Sequence, residues 1–189
     1  MDRNRNPRQV LVFHLLPVDV DERLVSMADS DLRFVPKPVE RSNVLHFDMA
    51  TRSLGRRSMR RESVLRDAYV LWAQARGLQV LGGRIHLPGR KEDLVIDLYD
   101  ETSKRVIEAK SSASRMHVRS AIGQVLDYSF LMTRALGIQV SPAILTPRQP
   151  TDELIDPLSS LGIVAIWGSG ETFTEISPHG VLESSEGTR

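Results

Sequence analysis

No cysteine occurs among the 189 residues. That excludes a disulfide framework, a thiolate metal site and a cysteine nucleophile, and it fits a reducing cytosol as the expected location. Charge of one sign is also lacking: 25 Lys and Arg stand against 24 Asp and Glu, a net +1. A surface for nucleic acid must therefore be a local patch and not a global field. Long hydrophobic runs are missing too. Val10–Leu16 is apolar, but it contains His14 and is followed by Asp19, Asp21 and Glu22 instead of a small-residue cleavage site. It reads as a buried strand and not as a signal peptide. No run is long enough to span a bilayer, so no membrane partner is expected. What is present is a 41% hydrophobic content, enough for the core of one compact domain.

The stretch Asp97–Lys110 organises the chain. It reads as two short strands, about 93–99 and 105–110, joined by a polar turn. If Asp100 pairs with Arg105 across a four-residue loop, Asp97 lies opposite Glu108, with Cβ atoms about 5 Å apart. Strand alternation returns Lys110 to the face of Glu108. Two acids facing each other destabilise a sheet pair. A hard divalent cation is the natural neutraliser. Asp93 is a rival acid, but in this register it falls opposite Ser112.

Helical spacing of Leu65, Ala68, Tyr69, Trp72 and Ala75 predicts a helix over about 60–76, stopped by Gly77. Glu62 shares its buried stripe. It either bonds backbone amides at the helix start or faces the hairpin acids. Five arginines within 52–61, with no acid among them, form a basic cluster that is either a solvated loop or a phosphate contact. Gly82-Gly83 marks a kink or bulge in the strand covering 78–87. A second helix is predicted over about 115–136, ended by Gly137, with Gly123 expected to allow close packing on the sheet. Gln124 and Tyr128 are i, i+4 neighbours on it. Arg115, His117 and Arg119 crowd its start with few acids nearby. A strand over 139–145, a helix over 152–161, a strand over 162–167 and an edge strand over 172–176 complete the order. The fold class is α/β, a mixed central sheet flanked by helices. Residues 1–50 read as a β-rich N-terminal extension containing strands at 10–16 and 44–47, in which His14 and His46 read as half-buried strand residues in preference to ligands. Residues 51–181 form the core and 182–189 a flexible tail.

This order of elements, together with Asp97…Glu108-Ala-Lys110, resembles the PD-(D/E)XK nuclease superfamily. An Asp eleven residues upstream across a hairpin, Glu62 on the preceding helix and Gln124-Val-Leu-Asp-Tyr128 on the following one carry the likeness. The last resembles the Gln-x-x-x-Tyr motif of the members related to bacterial recombination nucleases. Ile96 stands where the superfamily often has proline. The resemblance implies a restriction-endonuclease-like core and Mg²⁺-dependent hydrolysis of DNA phosphodiester bonds, with Mn²⁺ able to substitute and no organic cofactor. It implies an endonuclease of restriction or phage defence, acting as a homodimer to cut both strands. Asp97 and Glu108 would bind the metal, Lys110 would orient or deprotonate the attacking water, and Glu62 would be an accessory ligand or water-holder. Gln124 and Tyr128 would contact substrate or brace the site, while Arg115 and Arg119 lie where a phosphate backbone approaches. The alternatives are an RNA nuclease, or a silent nuclease fold that binds DNA or protein without turnover.

Overall fold

The computed structural model describes residues 31–39, 53–169 and 171–178; of residues 53–58 it describes the helical backbone alone. The strands expected at 10–16 and 44–47, with His14 and His46, lie outside the described residues, as does the tail. Seven strands form one open mixed sheet in the order β1-β2-β3-β4-β5-β6-β7. They are β1 (Arg33–Lys37), β2 (Val80–His86), β3 (Leu94–Asp100), β4 (Arg105–Ala109), β5 (Ser141–Thr146), β6 (Val164–Ser169) and β7 (Thr172–Ile176). Three helices accompany them: α1 (Ser53–Gln74), α2 (Arg115–Leu136) and α3 (Asp152–Ser160).

The connections follow from strand polarity. β1 to β4 are antiparallel neighbours, whereas β4, β5 and β6 run parallel, and parallel neighbours need crossovers. Helices α2 and α3 are those crossovers. Both pack on the same sheet face. Val118, Ala121, Val125 and Met132 of α2 and Leu154, Ile155 and Leu158 of α3 meet Ile96, Tyr99, Val106, Ile144 and Trp167 there. Helix α1 covers the opposite face, setting Tyr69, Val70 and Ala73 against Leu98, Ile107, Leu145 and Ile166. The core therefore lies in two layers either side of the sheet. Among the described residues no helix is long and apolar enough to cross a membrane.

Several expectations change. Residues 33–37, placed by the sequence in an N-terminal extension, add β1 to the edge of the central sheet. Its Pro36, opposite Gly83, is tolerated because an edge strand need not donate every N–H. Gly83 makes this pairing possible: a Cβ there would stand 2.1 Å from the Phe34 ring. Helix α1 begins at Ser53, seven residues earlier than the apolar stripe indicated, so the basic cluster is mostly helical and not a loop. Arginine is a good helix former, and no proline interrupts 53–60. Gly123 is exposed, and a Cβ there would meet nothing within 4 Å. It does not serve close packing. Helix α2 itself has the expected bounds, with Gly137 at φ 66° donating its N–H to the Thr133 carbonyl.

The bulge is real but sits on the other strand. Leu81 pairs with Tyr99, and Gly83 with Ile96. Gly82 alone therefore faces two residues, Asp97 and Leu98. The extra residue belongs to β3. This is why Ile96 and Tyr99 share one core layer while Leu98 points into the other. Bulges of this kind re-aim a side chain next to a site, and the side chain re-aimed here is Asp97.

Candidate active site

The hairpin loop is built by its own residues. Asp100 pairs with Arg105 as expected. Its carboxylate accepts the N–H groups of Thr102 and Ser103 and the Ser103 hydroxyl, and Lys104 takes φ 53° to close the turn. The ladder continues through Tyr99↔Val106 and Leu98↔Ile107 and stops there. Asp97 and Glu108, expected as a regular facing pair, lie just beyond its end, where the bulge has turned Asp97. The Ala109 N–H donates to Asp97 Oδ2 at 2.9 Å. A side chain thus replaces the strand partner that the bulge removes.

Glu108 is 5% exposed. Lys110 Nζ stands 2.6 Å from its Oε1, and the Lys110 N–H is fixed to the Leu145 carbonyl of β5 at 2.8 Å. Glu62 reaches in from α1 and accepts the Ser111 N–H at 3.1 Å. Four residues on, Arg66 brings Nη1 to 3.7 Å from Asp97 Oδ1. From the other layer, α2 contributes Gln124 and Tyr128, both half-buried. The Tyr128 phenol is held above its ordinary range by burial first and by the Glu108 carboxylate second; its hydrogen bond with the Gln124 side chain acts the other way. The site therefore lies at the C-terminal end of β4, between the two helical layers.

The electrostatics of the acids are dominated by burial. Glu108 is pushed up from 4.5 to about 7, first by desolvation and second by Asp97, against the pull of Lys110. Asp97 is also raised by burial, although the Ala109 N–H, Arg66 and Lys110 all favour its charged form. In both acids the effect of burial outweighs the nearby cations. Among the described residues there is no cluster of three or more His, Asp and Glu that could hold a metal alone. Mg²⁺ asks for less, one or two carboxylates with several retained waters. Asp97 and Glu108 are two such carboxylates, and burial raises the cost of leaving them charged without a cation.

The structure brings together Asp97, Glu108, Lys110, Glu62, Gln124 and Tyr128. It does not bring Arg115 into the group: Arg115 Nη2 pairs with Glu153 Oε1 of α3 at 2.8 Å, on an exposed surface. Arg119 is exposed on the second turn of α2. His117 Nδ1 is 2.8 Å from the Ser114 hydroxyl, a local contact at the helix start. Asp93, the rival acid, is engaged by His86 Nδ1 at 2.9 Å. Arg66 was missed. Its spacing of four from Glu62 on one helix face was the available signal. No family model, no curated protein and no solved structure matches this chain.

Proposed function

We propose that the protein is a metal-dependent nuclease with a restriction-endonuclease-like core, hydrolysing DNA phosphodiester bonds at Asp97, Glu108 and Lys110. One observation carries the reading. The buried Glu108 carboxylate and the half-buried Asp97 carboxylate converge beside the half-buried Lys110 ammonium, and both acids remain raised despite Lys110 and Arg66. Burial, the largest cause of both shifts, disfavours the charged carboxylates, and a bound cation would offset that cost.

Asp97 and Glu108 would hold Mg²⁺, which when bound supplies Lewis-acid polarisation of the phosphate and acidification of water. Lys110 places its ammonium where negative charge grows on the phosphate, in a site of low dielectric where such a charge counts most. It also orients the attacking water. Glu62 fixes Ser111, the residue after Lys110, and so holds the strand end that carries the ammonium. Arg66 steadies Asp97 in the bulge. Tyr128, on the Glu108 side, braces that carboxylate or meets the substrate backbone, with Gln124 setting its phenol. A single site of this kind cuts one strand, so two-strand cleavage would use a second copy, which sedimentation on DNA would reveal. Incubation with DNA or RNA in Mg²⁺ or Mn²⁺, with a chelator control, tests both the activity and the choice of nucleic acid.

A further inference from the structure

A cavity of about 490 Å³ opens on the α1 side of the sheet, bordered by Arg61 and Ser111, the neighbours in sequence of Glu62 and Lys110. Its wall is built from two sources. Ser111, Pro147 and Gly168 lie at the C-terminal ends of β4, β5 and β6. Arg60, Arg61, Val64, Leu65 and Ala68 come from α1. Open α/β sheets take their ligands in the crevice outside the carboxyl ends of the parallel strands, and the volume is within the range of small-molecule sites. Phe173 also lines the cavity. Its ring is held edge-on by Tyr69 at 5.2 Å and Trp72 at 5.5 Å, so this wall is fixed before anything binds. Gly168 faces the interior: a Cβ there would touch the Phe173 ring at 3.6 Å and Leu65 at 4.0 Å.

The wall is apolar but the rim is cationic. Arg60 and Arg61 are exposed, and neither has an ion-pair partner among the described residues. The matching ligand is flat and apolar at one end and anionic at the other. Ser111, which lines the cavity, donates its N–H to Glu62 Oε1 at 3.1 Å, so the cavity borders the site at Glu62. Resting on the nuclease reading above, we infer that the cavity receives one unstacked nucleobase of the DNA strand being cut, with its flanking phosphate on Arg60 and Arg61. A base inside a duplex cannot enter such a pocket. The substrate is therefore a strand with an unpaired nucleotide at or next to the scissile bond.

The test uses the full chain carrying Asp97→Asn, in chelator, so that no turnover intrudes. The probes are a short fluorescent oligothymidylate and its abasic analogue of equal length and charge, read by anisotropy. The base-bearing strand binds about tenfold tighter, the size of one aromatic stacking contact. Ala68→Trp and Gly168→Leu, which fill the cavity from opposite walls, abolish that preference. Should Gly168→Leu fail to fold by circular dichroism, Ala68→Trp, on an exposed helix position, carries the test alone. Arg60→Ala with Arg61→Ala weakens both probes together. Equal affinity for the two probes, absence of binding at low salt, or a preference that survives Ala68→Trp overturns the inference. Wild-type cleavage in Mg²⁺ without base preference would overturn the pocket alone; base preference without cleavage under any metal would overturn the nuclease reading alone.

Discussion

The Ala109 N–H donates to Asp97 Oδ2 at 2.9 Å, across the point where the β3–β4 ladder ends. A strand amide that would ordinarily face a carbonyl faces a carboxylate. The cause is the extra residue in β3 opposite Gly82. The bulge thus delivers Asp97 to the edge of Glu108, and the hydrogen bond keeps it there.

That juxtaposition has a titration consequence. Glu108 is raised to about 7 by burial and, second, by Asp97. Asp97→Asn removes the second cause and keeps an acceptor for the Ala109 N–H. The Glu108 carboxyl, followed by ¹³C NMR in chelator, should titrate near 7 in the wild type and clearly lower in Asp97→Asn. An unchanged midpoint would show that the two acids do not sense each other.

The same shift sets a stability slope without metal. Glu108 binds its proton more tightly folded than unfolded, so its contribution is complete below 4.5 and lost as pH rises through about 7. Melting temperatures in chelator should therefore fall between pH 5 and pH 8 on this account. The fall should be shallower in Asp97→Asn, a difference in which groups common to both proteins cancel. Added Mg²⁺ should raise the wild-type melting temperature most at the alkaline end, where the carboxylates are charged.

Glu62 is bonded to the Ser111 amide at 3.1 Å. Glu62→Ala leaves that amide without its acceptor and should cost about 1–3 kcal/mol in urea unfolding. Glu62→Gln retains an acceptor and should recover most of that loss. If Glu62→Gln nevertheless lowers cleavage tenfold or more, the charge serves the reaction and not only the fold.

Gly123 gives a prediction free of any functional assumption. It lies exposed in the middle of α2 with open space at its Cβ position. Gly123→Ala should stabilise the protein by about 0.4–1 kcal/mol. A destabilised variant would mean that α2 packs differently at that position.

Much of the layout was legible because it is local. The Asp100↔Arg105 register follows from a loop whose first carboxylate can bond the turn amides, and α2 is bounded by an apolar stripe and a glycine in the left-handed region. What escaped depends on partners distant in sequence. β1 has an exposed face and two prolines nearby, so nothing marks it as a strand until β2 offers an edge. Gly82-Gly83 signalled a bulge, but only the pairing of β2 with β3 decides which strand holds the extra residue. Arg66 looks like any helix-surface cation until the bulge brings Asp97 beneath it.

Tyr128 is half-buried between the α2 core and Glu108. Tyr128→Phe removes the hydroxyl and leaves the ring. If the hydroxyl acts at the site, cleavage should drop about tenfold or more, equivalent to about 1.4 kcal/mol in the barrier, with unfolding stability within about 1 kcal/mol of wild type. Loss of stability with unchanged cleavage would make Tyr128 a packing residue only.

The central claim is best tested by DNA cleavage assayed on the full chain with Mg²⁺, beside Asp97→Ala, Glu108→Ala and Lys110→Ala, each confirmed folded by circular dichroism. The expected result is cleavage by the wild type that chelator stops and that each of the three substitutions abolishes. Cleavage undiminished in all three folded variants would contradict the account.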